Sequence, residues 1–469
     1  MAEFKTKDYM KRTIQRIHFT GIGGIGMSGI AEVLLNLGYF ISGSDLQETD
    51  ITERLRSRGA QIFLGHDASN LGDADVVVTS TAVSGTNQEV VEAKKRGIPV
   101  IPRAEMLAEL LKMKFSIAVS GCHGKTTTTS IISTILTYGG LDPTMVIGGK
   151  LLNIGTNARL GSGEIIVAEA DESDGSFLRL SPLIAIITNI DREHLDYYRG
   201  IENIKEAFTN FANSVPFYGI VIVCSDCGHV RDVLPRIKRR VITYAVDGDA
   251  DYRAHDVSFQ GMNTRFSLSC RGEELGEVSL RVPGLFNVYN SIAAIAVARE
   301  MNMEFAAIRD GIYTYRGVGR RLEIKGTIND IVVVDDYGHH PTEIKETLKA
   351  ARRVWEGRIT VVFQPHRYTR TRALFEEFLG AFEDADSLII TDIYGASEAA
   401  IEGVHSENLC RAVKAAGHPD VTYISDFGAI VDHLCERLVP SETIITLGAG
   451  NVWKIGEALL KEMKARTGT

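Results

Sequence analysis

Two glycine-bearing loops hold the residues best suited to chemistry. Gly21-Ile22-Gly23-Gly24-Ile25-Gly26 follows the apolar run Arg16–Thr20 and precedes a helical stretch, with Asp45 standing ~20 residues on. A loop of this kind lets the backbone approach a pyrophosphate at a helix N-terminus. Its donors are backbone N–H groups, so NAD and a UDP-sugar satisfy it equally well, and a bare strand–helix turn is the bland alternative. Further on, Ser120-Gly121-Cys122-His123-Gly124-Lys125-Thr126-Thr127 ends a hydrophobic run and opens a Ser/Thr-rich helix. Val119 stands where the longer P-loop spacing has its first glycine, so this is a shortened G-x-x-G-K-T loop. Its backbone and helix start can cradle phosphates, Lys125 can reach their outer oxygens, and the Thr126 hydroxyl can hold Mg²⁺. Hard-cation oxygens follow at neighbouring strand ends: Glu169 after EIIV, then Asn189, Asp191 and Glu193 with His194 after IAIIT.

The elements that must position these loops read as α/β. Short apolar runs alternate with amphipathic stretches, and function is expected in the loops at the carboxyl ends of the strands. A length of 469 residues allows about two to four domains. The runs group into three α/β blocks, residues 1–112, 113–318 and 319–469, with Rossmann-like first and last domains. The middle block is P-loop-like and mainly parallel, and SFQGMNTRFSLSCRGEELGEVSLRV adds antiparallel hairpins to it. At 44% hydrophobic and 24% charged, with 45 Gly and 11 Pro, the chain is neither collagen-like nor disordered. A net charge of −9 argues against a partner held through nucleic-acid phosphates. No apolar run approaches the ~20 residues of a membrane span. The mixed-charge start and six cysteines without a framework suggest a reducing, cytoplasmic setting. Nothing in the sequence fixes an oligomeric state; an oligomer is compatible with it.

Taken in order, HFTGIGGIGMSGIA, GCHGKTTTT, VAEADESDGSF, NIDREHLDYY, PGLFNVYN, GVGRRLE, DDYGHHPTE, FQPHRYTRT and LGAGNVW closely resemble the Mur ligases of peptidoglycan synthesis. The resemblance covers nearly the whole chain and is nearest to the alanine-adding branch. It implies an N-terminal UDP-sugar domain, a central ATPase domain and a C-terminal domain bringing the amino acid, which settles the first loop in favour of UDP. The implied substrates are ATP, UDP-N-acetylmuramate and L-alanine, with two Mg²⁺ ions for which Mn²⁺ can substitute. The implied reaction phosphorylates the lactyl carboxylate, and the alanine amine then attacks the acyl phosphate.

Carried over residue by residue, the UDP-sugar set is Gly21, Gly23, Gly24, Gly26, Met27, Asp45, Ser80, Thr81, Ala82 and Arg103. The nucleotide set is Gly121 to Thr127 (Cys122, His123, Gly124, Lys125 and Thr126 among them), Asn287, Asn290, Arg320, Arg321 and Asp336. Thr126 and Glu169 are the implied ligands of one metal ion, and Glu169 with His194 those of the second. Lys125, His194, His339, Arg367 and Arg370, with Tyr337, are placed at the reaction centre.

Two positions depart from the family pattern. Cys122 stands where threonine is usual, which suggests a loop sensitive to oxidation or alkylation. AFTNFANSVPFYG lacks the lysine that several later-acting members carbamylate. Cys224 and Cys227, with His229 beyond, form a single C-x-x-C pair and read as ordinary cysteines; the adjacent His339 and His340 read as positioning groups. An NAD oxidoreductase would leave Lys125 and its acids unexplained, and a tripeptide-recycling ligase is the nearer alternative.

Overall fold

The computed structural model describes residues 10, 12–80, 82–151, 156–396 and 398–467. The first sheet comprises β1 (Arg16–Thr20), β2 (Phe40–Asp45), β3 (Gln61–Leu64), β4 (Val76–Thr79) and β5 (Val100–Pro102). It is parallel, in the order β3-β2-β1-β4-β5. The order reverses between β1 and β4, so the glycine loop after β1 and Ser80 after β4 flank one crevice, where open α/β sheets take ligands.

The second sheet has ten strands: β6 (Phe115–Ser120), β7 (Thr144–Leu151), β8 (Thr156–Arg159), β9 (Ile165–Glu169), β10 (Ile184–Ile187), β11 (Ile220–Cys224), β12 (Arg240–Ala245), β13 (Tyr252–Gln260), β14 (Asn263–Cys270) and β15 (Glu273–Leu280). Its order, β15-β14-β13-β12-β11-β10-β6-β9-β7-β8, puts β6 between β10 and β9. The phosphate-type loop, Glu169 and the loop after β10 therefore share one edge. β13, β14 and β15 pair antiparallel, as the alternating pattern predicts. The antiparallel β7–β8 pair was not anticipated; the helix Ile25–Asn36 of the first unit packs on it.

The third sheet runs β16-β17-β21-β18-β19-β20, with β16 (Glu323–Ile328), β17 (Ile331–Asp336), β18 (Ile359–Phe363), β19 (Ser387–Ile390), β20 (Val421–Tyr423) and β21 (Thr443–Leu447). β16 is an antiparallel edge strand with no fully buried residue, which leaves it no hydrophobic signature in the sequence. The central strands β18 and β21 are buried at every position. That is the near-continuous apolar pattern of a parallel sheet covered on both faces.

Candidate active site

At the first loop, Gly21 has φ +80°, a region that favours glycine, and the Asp45 carboxylate accepts the Gly23 N–H at 2.8 Å. Asp45 thus helps to shape the loop. Below it, Glu89 is fully buried and accepts from Thr20, Ser44 and Asn70 at 2.7–2.8 Å, with His18 at 3.2 Å. Burial alone would raise its pKa, but these hydrogen bonds hold it at about 2. Met27 is buried in the core, Ser80 lies at the crevice, Ala82 is exposed, and Thr81 falls outside the described residues. The Arg103 guanidinium lies where a side chain on Gly26 would stand, and it reaches Asp171 of the second unit at 3.3 Å.

In the second loop, Gly121 (φ +133°) and Gly124 (φ +82°) sit against Thr188 and Asn290 with no room for a Cβ. Asn189 clamps the loop: its backbone carbonyl accepts the Cys122 N–H and its side-chain oxygen accepts the His123 N–H. The N–H groups of Cys122 and His123 are thus already taken within the protein. Lys125 folds over the loop, donating to the Gly121 carbonyl (2.7 Å), the Cys122 carbonyl (3.3 Å) and Glu172 (2.8 Å). Burial disfavours its charge, yet Glu172, Asp171 and Glu169 hold the ammonium protonated. The Thr126 hydroxyl lies 2.9 and 3.1 Å from the two Glu169 oxygens. The His194 ring meets Glu193 at 3.3 Å and Glu172 at 3.6 Å.

The Cys122 thiol bridges to the backbone of Asp191, accepting its N–H at 3.1 Å. It is 9% exposed, and burial with the nearby Glu172 pushes its pKa well up. These observations oppose the expected sensitivity, because the reactive species is the thiolate. Iodoacetamide on the native protein should label Cys227, Cys270 or Cys435 first and reach Cys122 only after unfolding; early labelling of Cys122, mapped by peptide mass, would contradict this. On the helix Ile201–Ser214, Lys205 is occupied by Glu202 and Asp232, both at 2.9 Å.

A cavity of about 270 Å³ opens beside the loop, lined by Thr127, Phe286, Asn287, Tyr315, Arg321 and Leu322 among others. Asn287 faces it, whereas Asn290 accepts from Thr128 and props Gly124. Arg321 reaches into the cavity and meets Glu343 at 3.4 Å. Arg320 turns away: it donates to Asp335 and to the carbonyls of Gly448 and Gly450, all within the third unit. The Asp336 carboxylate likewise faces its own loop, accepting N–H groups of Leu322 and Gly338, and burial lifts its pKa to about 6.

The third unit closes on the second through charged contacts. Arg370, 10% exposed, donates to Glu193 at 3.2 Å, while Arg192 meets Glu377 at 3.1 Å. A cavity of about 30 Å³ remains between them, walled by Glu193, His194, Arg367, Thr369, Arg370 and Ala373. One buried oxygen of Glu193 and one of Glu172 have no hydrogen-bond partner among the described residues. His339 is held neutral down to about 4 by burial and by the charge of Arg370. His194, Arg320 and Arg367 all have positive φ (51°, 60° and 70°). Strain of about 1–3 kcal/mol at such a residue persists only where the surroundings enforce it.

Residues 16–115, 119–298 and 320–450 match, in turn, the Mur ligase family catalytic domain, the Mur ligase middle domain and the Mur ligase glutamate ligase domain. The UDP-N-acetylmuramate–L-alanine ligase of Syntrophus aciditrophicus is 63% identical over 464 residues, covering 99% of this chain and 97% of that protein. The ligase of the same name from Geotalea uraniireducens is 58% identical, covering 96% and 98%. Among solved structures, the UDP-N-acetylmuramate-alanine ligase of Thermotoga maritima superposes with a TM-score of 0.82 at 28% identity, covering 96% of this chain and 99% of that one. A murein peptide ligase from Psychrobacter arcticus gives 0.71 at 25% identity, covering 96% of this chain. Matched domain by domain and along nearly its whole length, the chain belongs to the Mur ligase family.

Proposed function

We propose that the chain joins L-alanine to the lactyl carboxylate of UDP-N-acetylmuramate, converting ATP to ADP and phosphate through an acyl phosphate. The observation that carries this reading is the 63% identity with an L-alanine ligase across 99% of the chain. The geometry supports it. The UDP-sugar enters the first crevice, with Arg103 bridging toward the reaction centre through Asp171. Adenine takes the cavity faced by Asn287, and its phosphates extend past Arg321 to the helix start at Lys125.

A carboxylate is a poor electrophile, and phosphoryl transfer onto it brings two anions together, so charge neutralisation and alignment dominate. Lys125 neutralises the transferring phosphoryl group. The hydroxyl of Thr126 and the carboxylate of Glu169 converge as hard oxygen donors, a set that fits Mg²⁺. His194, with the unpartnered Glu172 oxygen nearby, suits a second ion. Bound there, Mg²⁺ supplies charge compensation for the phosphates. The amino acid enters between the second and third units, where Arg367 and Arg370 meet its carboxylate and the Glu193 oxygen that accepts no hydrogen bond, 3.8 Å from His340, meets its ammonium. Three substrates drawn from three units make closure part of the chemistry.

The test is ADP release by the purified protein with ATP, Mg²⁺ and UDP-N-acetylmuramate, with and without L-alanine, and in parallel with glycine, L-serine and the L-alanyl tripeptide. Turnover requiring both UDP-N-acetylmuramate and L-alanine is expected. Turnover with the tripeptide alone would reassign the chain to peptide recycling, and silence with every acceptor would overturn the catalytic reading.

A further inference from the structure

We propose that Glu343 is a positioning residue that locks the third unit onto the phosphate loop by holding His123, Arg321 and the His339 loop in one buried hub. The proposal rests on the ligase reading above, but the geometry stands without it. Glu343 is the third residue of the helix Pro341–Val354, whose N-cap is His340. One carboxylate oxygen accepts the N–H groups of His339 (3.1 Å) and His340 (3.4 Å), the reciprocal half of a capping box. A glutamate at that position needs no more than this to be explained. Its other oxygen, however, meets the His123 ring at 3.4 Å and the Arg321 guanidinium at 3.4 Å. The side chain is only 10% exposed.

His123 stands between two carboxylates. Its Nε2 lies 3.0 Å from Asp191, on the loop after β10, and its Nδ1 faces Glu343. With an anion at each nitrogen, the ring is an imidazolium donating through both N–H groups. Asp191 is in turn held from the third unit by the Thr342 hydroxyl at 2.8 Å and faces His340 at 3.7 Å. The groups facing His123 are thus Asp191 and Glu193 from the second unit and His340 and Glu343 from the third. Burial opposes the ring's charge, and the carboxylates favour it.

The consequence is a mechanical coupling. The phosphate loop, the arginine at the nucleotide cavity and the histidine loop at the reaction centre share one anion, so the third unit docks in register only when all three are in place. A glutamate serving only as a cap would leave turnover and the phosphate loop untouched.

Glu343→Gln is the informative variant, because the amide oxygen preserves the cap while the charge is removed. The full-length protein is followed by two readouts: kcat, and hydrogen exchange of the backbone amides of residues 121–125. The expected result is faster exchange in that loop and a kcat lower by about tenfold or more, with KM for UDP-N-acetylmuramate little changed. Glu343→Asp, retaining the charge, should recover part of both. Faster exchange with unchanged kcat, lowered kcat with unchanged exchange, or neither change, each overturns the proposal. Should Glu343→Gln fail to fold, Glu343→Asp carries the same test, since the shorter side chain weakens the reach to His123 and Arg321, and wild-type exchange and kcat would sink the clasp. Absence of turnover in the wild type would refute the ligase reading alone, since the exchange rates report the hub independently.

Discussion

Lys125→Ala is expected to reduce ADP release by at least about a thousandfold while UDP-N-acetylmuramate still binds. The ammonium is the cation at the helix start, held over the loop by two carbonyls and Glu172. Removing it leaves phosphoryl transfer between two anions without that neutralisation. Loss of a single preorganised charge-stabilising donor alone costs about 10²–10³ in rate, and a full positive charge beside phosphates exceeds that. Stability must be controlled, because Glu172 is 1% exposed and loses its charged partner. Breaking a buried pair costs about 3–5 kcal/mol, so the melting temperature should fall as well. The two effects separate by substrate. The crevice proposed for the UDP-sugar belongs to the first sheet, so calorimetric binding of UDP-N-acetylmuramate should survive in any folded Lys125→Ala protein. Turnover within tenfold of wild type would remove Lys125 from the chemistry; loss of both turnover and UDP-sugar binding would show only that the variant is misfolded.

What the sequence revealed about this site follows from how strongly each residue marks its own surroundings. Glycines between a buried run and a helix announce phosphate-type loops, because few other residues tolerate those dihedrals. The apolar runs of β6, β10, β18 and β21 announce covered parallel strands, and both kinds of signal are local. Contacts across units leave no such trace. Arg370 and Glu193 meet although 177 residues separate them, and either alone looks like a solvated charge. Glu343 was missed for that reason; Glu172 and Glu89 were missed because their partners, though in the same unit, are distant in sequence. Only Glu343 had a local signal, as the third residue after a histidine cap, and that signal speaks of helix capping rather than of His123. Backbone strain at His194 and Arg367 was equally silent, since neither residue type marks a positive φ in a sequence. Arg320 and Asp336, read from motif position as nucleotide contacts, turn instead toward their own unit. Adjacent residues in a motif can point to opposite sides of a turn, and spacing alone does not say which.

Arg370→Met should lower kcat/KM for the amino acid by about 10²–10³-fold, with a distinctive pH signature. Its guanidinium joins the third unit to Glu193 and donates to the His366 carbonyl at 3.2 Å, at 10% exposure. Methionine keeps much of the apolar volume, so the change is chiefly one of charge and hydrogen bonding. Glu193, 4% exposed and with one oxygen that accepts no hydrogen bond, then loses the strongest of the cations that keep it ionised. A penalty of about 3–5 kcal/mol for a broken buried pair corresponds to the stated loss when most of it is expressed in the closed complex. The same substitution removes a positive charge that helps keep His339 neutral. The His339 pKa, about 4 in the wild type, should therefore rise, and the acid limb of kcat/KM should move to higher pH. Arg370→Lys separates the two contributions: it retains the charge and so the acid limb, but loses the planar fork and with it part of the affinity for the carboxylate of the amino acid. A uniform loss in both variants with no movement of the acid limb would mean that Arg370 binds substrate without tuning His339. Wild-type kcat/KM in Arg370→Met would remove this cavity from the amino-acid path.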